Sequence, residues 1–290
     1  MSVAEQHRAP ARPAHPDSAR RVSTRLLRSE VGLIAGRRRN QMGLLVLALV
    51  PIVLAVSVKV SSRSARGGPD FLDSITANGL FVPLAALTVE MGLFLPLAIA
   101  MLSGDAIAGE ANLGTLRYLL TVPVSRTRLL LVKYASLCIG ALWGVTTVAV
   151  AGGIAGVALF GTGPLTTLSG SQLDFPAALG RLALVVLYLS AGIAALGAVG
   201  LFISTLTEQP IAATIALTIF TILSWILDSV PQLAWLHPWL LVDRWLAFAD
   251  LLRDPPFWDT VLQGLALDLG YAVVFWLLAW ARFAGKDITS

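Results

Sequence analysis

The chain is poor in charge, in cysteine and in histidine, and each shortage removes a class of function. Only 13% of its 290 residues are Asp, Glu, Lys or Arg against 56% hydrophobic, with a mean hydropathy of +0.78. Soluble domains carry about 25% charged residues, so this chain is too oily for one. Cys138 is the single cysteine, so no intramolecular disulfide forms, and in its apolar run it reads as a small buried hydrophobe. His7, His15 and His237 are too few and too scattered for a metal site, and there is no HExxH pair. A G-x-x-x-x-G-K-[ST] phosphate loop is missing too: Gly285-Lys286 lacks both the upstream glycine and the following hydroxyl. If nucleotide drives this protein, another chain hydrolyses it. The opening stretch MSVAEQHRAPARPAHPDSARR has no apolar core of the kind a secretory signal peptide needs. Its Pro, Ala and Arg content reads as a flexible cytoplasmic tail over residues 1–20.

What is abundant is apolar sequence in membrane-length blocks. Asn40 to Val58 is an uncharged run of 19 residues, close to the ~20 that span ~30 Å of hydrocarbon. Further crossings are expected over Leu80–Leu102, Tyr134–Phe160, Arg181–Thr207, Ile211–Leu227 and Val261–Ala281, with bends at Pro83 and Pro96. Before the first crossing, Val22, Leu26, Leu27, Val31, Leu33 and Ile34 form an apolar stripe beside a basic one of Arg21, Arg25 and Arg28. That pattern suits a helix over 21–39 lying in the membrane interface; a surface helix docked on a soluble partner fits it as well. Asp228 to Asp259 neither spans nor reads as soluble. Five of the eight tryptophans (Trp225, Trp235, Trp239, Trp245 and Trp258) fall in or beside it, as in an aromatic belt at headgroup level. Pro238 and Asp243-Arg244 around its apolar core favour short re-entrant helices. The expected fold is therefore an all-α polytopic membrane protein. It has six transmembrane helices within 40–284, an N-terminal amphipathic interfacial helix, re-entrant outer helices over 228–259, and a cytoplasmic C-terminus at 285–290.

Charge sets the expected orientation. Six crossings put both termini on one side, which then holds 15 of the 21 basic residues; the other holds Lys59, Arg63, Arg66, Arg181, Arg244 and Arg253. The positive-inside bias makes the richer side cytoplasmic, in the inner membrane of a cell. Gly140, Gly144, Gly152 and Gly156 on the third crossing, and Gly192, Gly200 and Ser204 on the fourth, recur at multiples of four, a spacing that lets helices approach closely in lipid. Glu90 and Asp268 are the carboxylates placed inside hydrocarbon, where a charge costs about 2.5–3.5 kcal/mol on insertion scales. They are candidates for the translocation path; Asp268, near its helix start, also fits outer headgroups.

The remaining feature is Ser103 to Lys133, a long charged segment between apolar blocks. It carries six of the 38 charged side chains: Asp105, Glu110, Arg117, Arg126, Arg128 and Lys133. Asp105 and Glu110 precede a stretch, Leu113 to Leu120, able to form a short helix that Pro123 ends. Such a helix suits a cleft on a cytoplasmic protein, while a loop merely solvated by its charges fits the same composition.

The strings Asp105-Ala-Ile-Ala-Gly-Glu110, Gly114-Thr115-Leu116-Arg117-x-Leu119-Leu120 and Pro123-Val124-Ser125-Arg126, followed by Lys133, resemble the signature of permease subunits of the ABC-2 type transporter family. The end of the chain, Phe283 to Thr289, resembles the terminus common in that group, and the likeness extends over everything after about Ser23. The resemblance implies two permease subunits paired in the membrane, as a homodimer or with a close homologue. Beneath them would dock two ATP-binding subunits carrying ATP and Mg2+, with no cofactor in this chain, no catalytic residue and no nucleic acid. It implies coupling to the ATPase through Asp105, Glu110, Gly114, Thr115, Arg117, Pro123, Ser125 and Arg126. The function implied is the non-catalytic permease half of an ATP-driven exporter. A membrane scaffold recruiting a cytoplasmic protein through the same loop is the alternative, and a secondary transporter a third.

Overall fold

The computed structural model describes residues 24–64, 78–112, 114 and 125–285, and these are helical almost throughout. α1 (Thr24–Gly36) and α2 (Arg38–Ser64) meet at a corner at Arg37. Two side-chain amides hold that corner: Asn40 Nδ2 donates to the Ile34 carbonyl at 2.8 Å and Gln41 Nε2 to the Ala35 carbonyl at 3.0 Å. The last carbonyls of a helix have no partner within it, so these amides finish α1 as they begin α2. The flexible tail expected over residues 1–20 lies outside the described residues.

The second crossing is a broken helix, α3 (Phe81–Gly92) and α4 (Phe94–Gly104). Pro83 and Pro96 allow local bends, and the helix has one break, at Leu93, whose φ of −149° and ψ of −54° leave the helical region. Pro96 has no N–H to offer the Gly92 carbonyl and its ring crowds that carbonyl. The helix therefore restarts so that Pro96, like Pro83 in α3, falls in a first turn, where N–H groups lack intrahelical partners anyway. The segment read as loop from Ser103 is instead helical as far as Asn112. α4 passes into a π-helical turn, Asp105–Gly109, and a last turn, Glu110–Asn112. The third crossing likewise starts early, as α5 (Arg126–Phe160). A two-stranded antiparallel hairpin follows, β1 (Leu165–Thr166) against β2 (Gln172–Leu173), then α6 (Phe175–Leu206) and α7 (Pro210–Asp228). The span 228–259 is a chain of short turns containing α8 (Leu241–Trp245) and a 3-10 stretch, Leu246–Leu252, before α9 (Trp258–Ala284).

Among the described residues, six helices are long and apolar enough to cross a membrane: Arg38–Ser61, Phe94–Asn112, Arg126–Phe160, Phe175–Leu206, Pro210–Asp228 and Trp258–Ala284. The protein is a multi-pass, all-α membrane protein. α6 is the most enclosed, packed on α9, α5 and α4, whereas α2 and α9 leave most of their surface outward. That surface is apolar, as lipid demands.

The small-residue stripes seen in sequence are the contact surfaces. A Cβ at Gly156 would lie 2.0 Å from the Gly79 carbonyl oxygen, and one at Gly152 2.8 Å from Pro83 Cα, so α5 meets the start of α3 backbone to backbone. On α6, a Cβ at Gly200 would fall 2.0 Å from Ser103 Oγ. Such approach replaces the missing hydrophobic drive between helices in lipid. Polar contacts then tie the ends. At one end Lys59 Nζ donates to the Leu159 carbonyl (2.7 Å) and Asn78 Nδ2 to that of Gly163 (2.7 Å). There the hairpin leans on the turns before α9, with Leu168 N–H donating to the Leu252 carbonyl at 3.1 Å. Asp250, on those turns, accepts from the Thr260 hydroxyl at 2.5 Å and from Arg253 Nε at 2.7 Å, which together hold it below the usual carboxylate range.

Gly156→Leu is expected to cost about 1–3 kcal/mol through overpacking, seen as a lower melting temperature in detergent. Gly153→Leu, where a Cβ meets nothing within 4 Å, is the matched control. Equal melting of the two variants would remove the close α3–α5 approach as a source of stability.

Candidate functional site

At the end opposite Lys59 and the hairpin, the charged residues converge. Lys133 sits one turn or more inside α5 in an otherwise apolar run, and its side chain is only 5% exposed. A buried ammonium needs partners, and it has two: Nζ donates to Glu30 Oε2 at 2.9 Å and to Glu110 Oε1 in a short contact. Glu30 comes from α1 and Glu110 from the end of the second crossing, so one cation joins three separate segments. Beside this triad, Asp105 accepts from Arg37 Nη1 at 2.7 Å and makes a short contact to Arg39. These two arginines flank the α1–α2 corner, and their half-exposed pairs with Asp105 add less than the buried triad. Glu30, Arg37, Asp105, Glu110 and Lys133 share one small cleft between α1, α4 and α5.

The π-helical turn is what aims these carboxylates. A π turn widens the helix and displaces its hydrogen bonds, and Ser204 of α6 supplies replacements. Its hydroxyl accepts from the Ile107 and Ala108 N–H groups at 3.1 and 2.9 Å and donates to the Gly104 carbonyl at 3.0 Å. Ser204 is fully buried. α7 closes the same place, with Thr214 Oγ1 donating to the Ala100 carbonyl at 3.3 Å.

The start of α5 is fastened to the end of α9. Ser125 caps α5, its hydroxyl accepting from Arg128 N–H at 3.3 Å. Arg126 Nη1 donates to the Phe283 and Ala284 carbonyls at 3.1 and 2.8 Å, a cation on the acceptor-rich end of a helix. Trp280 Nε1 donates to Thr127 Oγ1 at 2.9 Å. Thus Asp105, Glu110, Ser125 and Arg126 all lie at this end, held by ordered contacts. Gly114 is exposed at φ +68°, a left-handed conformation that glycine adopts without strain. Thr115, Arg117 and Pro123 lie outside the described residues. Sequence reasoning missed Glu30, and it took Lys133 only as part of a motif. Two signals were available: Lys133 is a lone cation in an apolar run, and Glu30 the lone carboxylate of a basic helix.

Glu90 and Asp268 are both buried, 0% and 5% exposed. Among the described residues, neither oxygen of Glu90 and not Oδ1 of Asp268 has a hydrogen-bond partner. They are not neighbours: Glu90 is on α3, which packs on α5 and α2, whereas Asp268 on α9 faces Gly192 of α6. A Cβ at Gly192 would lie 3.7 Å from Asp268 Oδ2 and 2.9 Å from the indole nitrogen of the buried Trp245. Asp268 therefore points into the protein, against the alternative in which it faces outer headgroups. No cluster of three metal-ligating side chains occurs among the described residues.

The family described as a protein of unknown function (DUF2705) matches residues 47–289 of the chain. No curated protein matches the chain.

Lys133→Met is expected to strand two buried carboxylates and lose about 3–5 kcal/mol of stability. Replacing all three charges together (Glu30→Gln, Lys133→Met, Glu110→Gln) is expected to recover much of that loss. Melting of the single variant at the wild-type temperature would show that the triad does not hold this end together.

Proposed function

The chain belongs to the DUF2705 family, whose description assigns no activity, and we propose from its own residues that it is the permease subunit of an ATP-driven exporter. The observation that carries this reading is the convergence on one polar end of the helix α1, the π-turned end of the second crossing, the start of α5 and the end of α9. Residues 113–125, the segment whose motif resembles the ABC-2 permease signature, connect two of those elements. A partner that presses on this segment pulls directly on Glu110 and Ser125. Through Lys133 and Asp105 the load reaches α1 and the α1–α2 corner. Coupling between a docking site and a membrane path requires such a shared mechanical element with two arrangements.

On this reading the protein pairs with a second permease subunit, and two cytoplasmic ATP-binding subunits supply the ATP and Mg2+. The polar end faces the cytoplasm and both termini lie there, in keeping with the basic residues gathered at that end. α1 lies in the membrane interface: Arg25 and Arg28 are exposed, while Leu26, Leu27, Val31 and Ile34 are partly covered against the bundle. The turns of 228–259 form a re-entrant cap at the outer face, shielded by the hairpin. Glu90 and Asp268 contribute to the translocation path, since a carboxylate without a partner in hydrocarbon persists where function retains it.

Arg117→Glu tests the coupling role. The variant is expected to keep normal yield and melting temperature, while co-purification with the cognate ATPase and transport-linked ATP hydrolysis both fall by about tenfold or more, as for a hot-spot contact. Wild-type coupling would sink the reading. Loss of co-purification without any transport activity in the wild-type complex would instead favour a scaffold. Topology is checked separately in a Cys138→Ala background, where Gly67→Cys should label in intact cells and Thr115→Cys should not. Labelling of position 115 from outside would invert the assignment.

A further inference from the structure

Two membrane-facing clefts of lipid size exist among the described residues, and they differ in one respect. The first, about 760 Å3, lies between α5 and α6, and its lining includes no charged side chain. The second, about 690 Å3, lies between α7, α9 and the turns around α8, and it carries Arg244 and Gln263 at one end. Both volumes fall in the range of small-molecule sites, but only the second is amphipathic.

The second cleft is graded from end to end. Arg244 and Gln263 belong to the end with the hairpin; Phe220 and Phe275 lie toward mid-helix on α7 and α9. From Gln263 to Phe275 the helix rises about 18 Å, a little over half of the ~30 Å hydrocarbon core. The walls are fixed. Tyr271 donates its hydroxyl to the Trp239 carbonyl at 2.8 Å and stacks on Phe275 with ring centroids 5.7 Å apart. Arg244 follows from α8, anchored by the buried Trp245 edge-on against Trp225 and by Tyr188 Oη donating to the Arg244 carbonyl at 2.6 Å. Asp243 Oδ2 meets the Nε edge of the Arg244 guanidinium at 3.3 Å. The two terminal amino groups of that guanidinium have no partner among the described residues. They form the flat fork that matches a phosphate.

We propose that this cleft binds a membrane lipid with an anionic phosphate headgroup, the phosphate on Arg244 beside Gln263 and one acyl chain along α9 between Tyr271, Phe275 and Phe220. The α5–α6 cleft takes acyl chains without headgroup preference. The proposal rests on the membrane fold and not on the permease reading, and it is tested without any ATPase.

The protein is reconstituted in nanodiscs containing phosphatidylglycerol or phosphatidylcholine, each with a photoactivatable diazirine on the acyl chain. Adducts are mapped by mass spectrometry. Phosphatidylglycerol is expected to label the Phe220 and Val274–Phe275 peptides about fivefold more than phosphatidylcholine, the preference one arginine near a headgroup supplies. Labelling of the α5–α6 cleft should be equal for the two lipids. Arg244→Gln should abolish the preference and Arg244→Lys retain part of it. Gly270→Leu, at a cleft position where a Cβ meets nothing within 4 Å, should suppress both adducts there; Gly153→Leu, equally open in the other cleft, should not. Each variant is accepted only if it elutes monodisperse. Equal labelling by the two lipids, or a preference surviving Arg244→Gln, overturns the proposal. So does an unlabelled cleft in which Gly270→Cys cross-links between copies, which would make a second copy of this chain the occupant.

Discussion

A single ammonium inside the α5 helix sets the geometry of the polar end. Lys133 is too deep to be solvated and too costly to leave unpaired, so Glu30 and Glu110 must both reach it. Satisfying it draws α1 against the start of α5 and holds the last turn of the second crossing beside them. The Asp105 pairs with Arg37 and Arg39 then fix the corner between α1 and α2. A buried ion pair adds little net stability over a well-packed apolar core, but it penalises every arrangement that separates its members. Its value here is positional: three segments far apart in the chain have one way to meet.

The same constraint governs the backbone. In hydrocarbon no water satisfies a carbonyl or an N–H that leaves the helical ladder, and three interruptions at the polar end carry side-chain partners. Ser204 serves the π turn, Asn40 and Gln41 serve the end of α1, and Arg126 serves the end of α9. Each partner comes from a different element than the one it completes, or from across a corner. Interruptions are thus also cross-links. These three lie at the polar end, whereas the break at Leu93 within the second crossing has no side-chain cap.

Against this background Glu90 and Asp268 stand out, because other charges buried at the polar end are paired and these carboxylate oxygens are not. They lie in different helix interfaces, one beneath the break at Leu93 and one beside Trp245. On the permease reading proposed above, a path using both would run through more than one helix interface.

The crossings were legible in sequence because lipid imposes a simple rule of length and polarity, and the glycine stripes were legible because close packing recurs with helical period. Gly152, Gly156, Gly200 and Ser204 all make the approaches their spacing implied. Local rules failed where two elements compete for one residue. Pro96 shows it: proline chemistry located a bend, but the break falls at Leu93, where the chain can restart with Pro96 in a first turn. The charged stretch from Ser103 read as loop because its acidic residues interrupt an apolar run. It is helical to Asn112 because Ser204, nearly a hundred residues away, accepts the N–H groups of its π turn. Asp105, Glu110, Ser125 and Arg126 were recognisable as a set from their motif, but not their partners. Glu30 meets Lys133, and Arg126 meets the end of α9, across sequence separations that no periodicity encodes. Sequence alone determined which segments enter the membrane, since transfer from water to lipid is a property of each segment. Tertiary structure decided which charges meet, since pairing a buried charge is a property of the whole packed bundle.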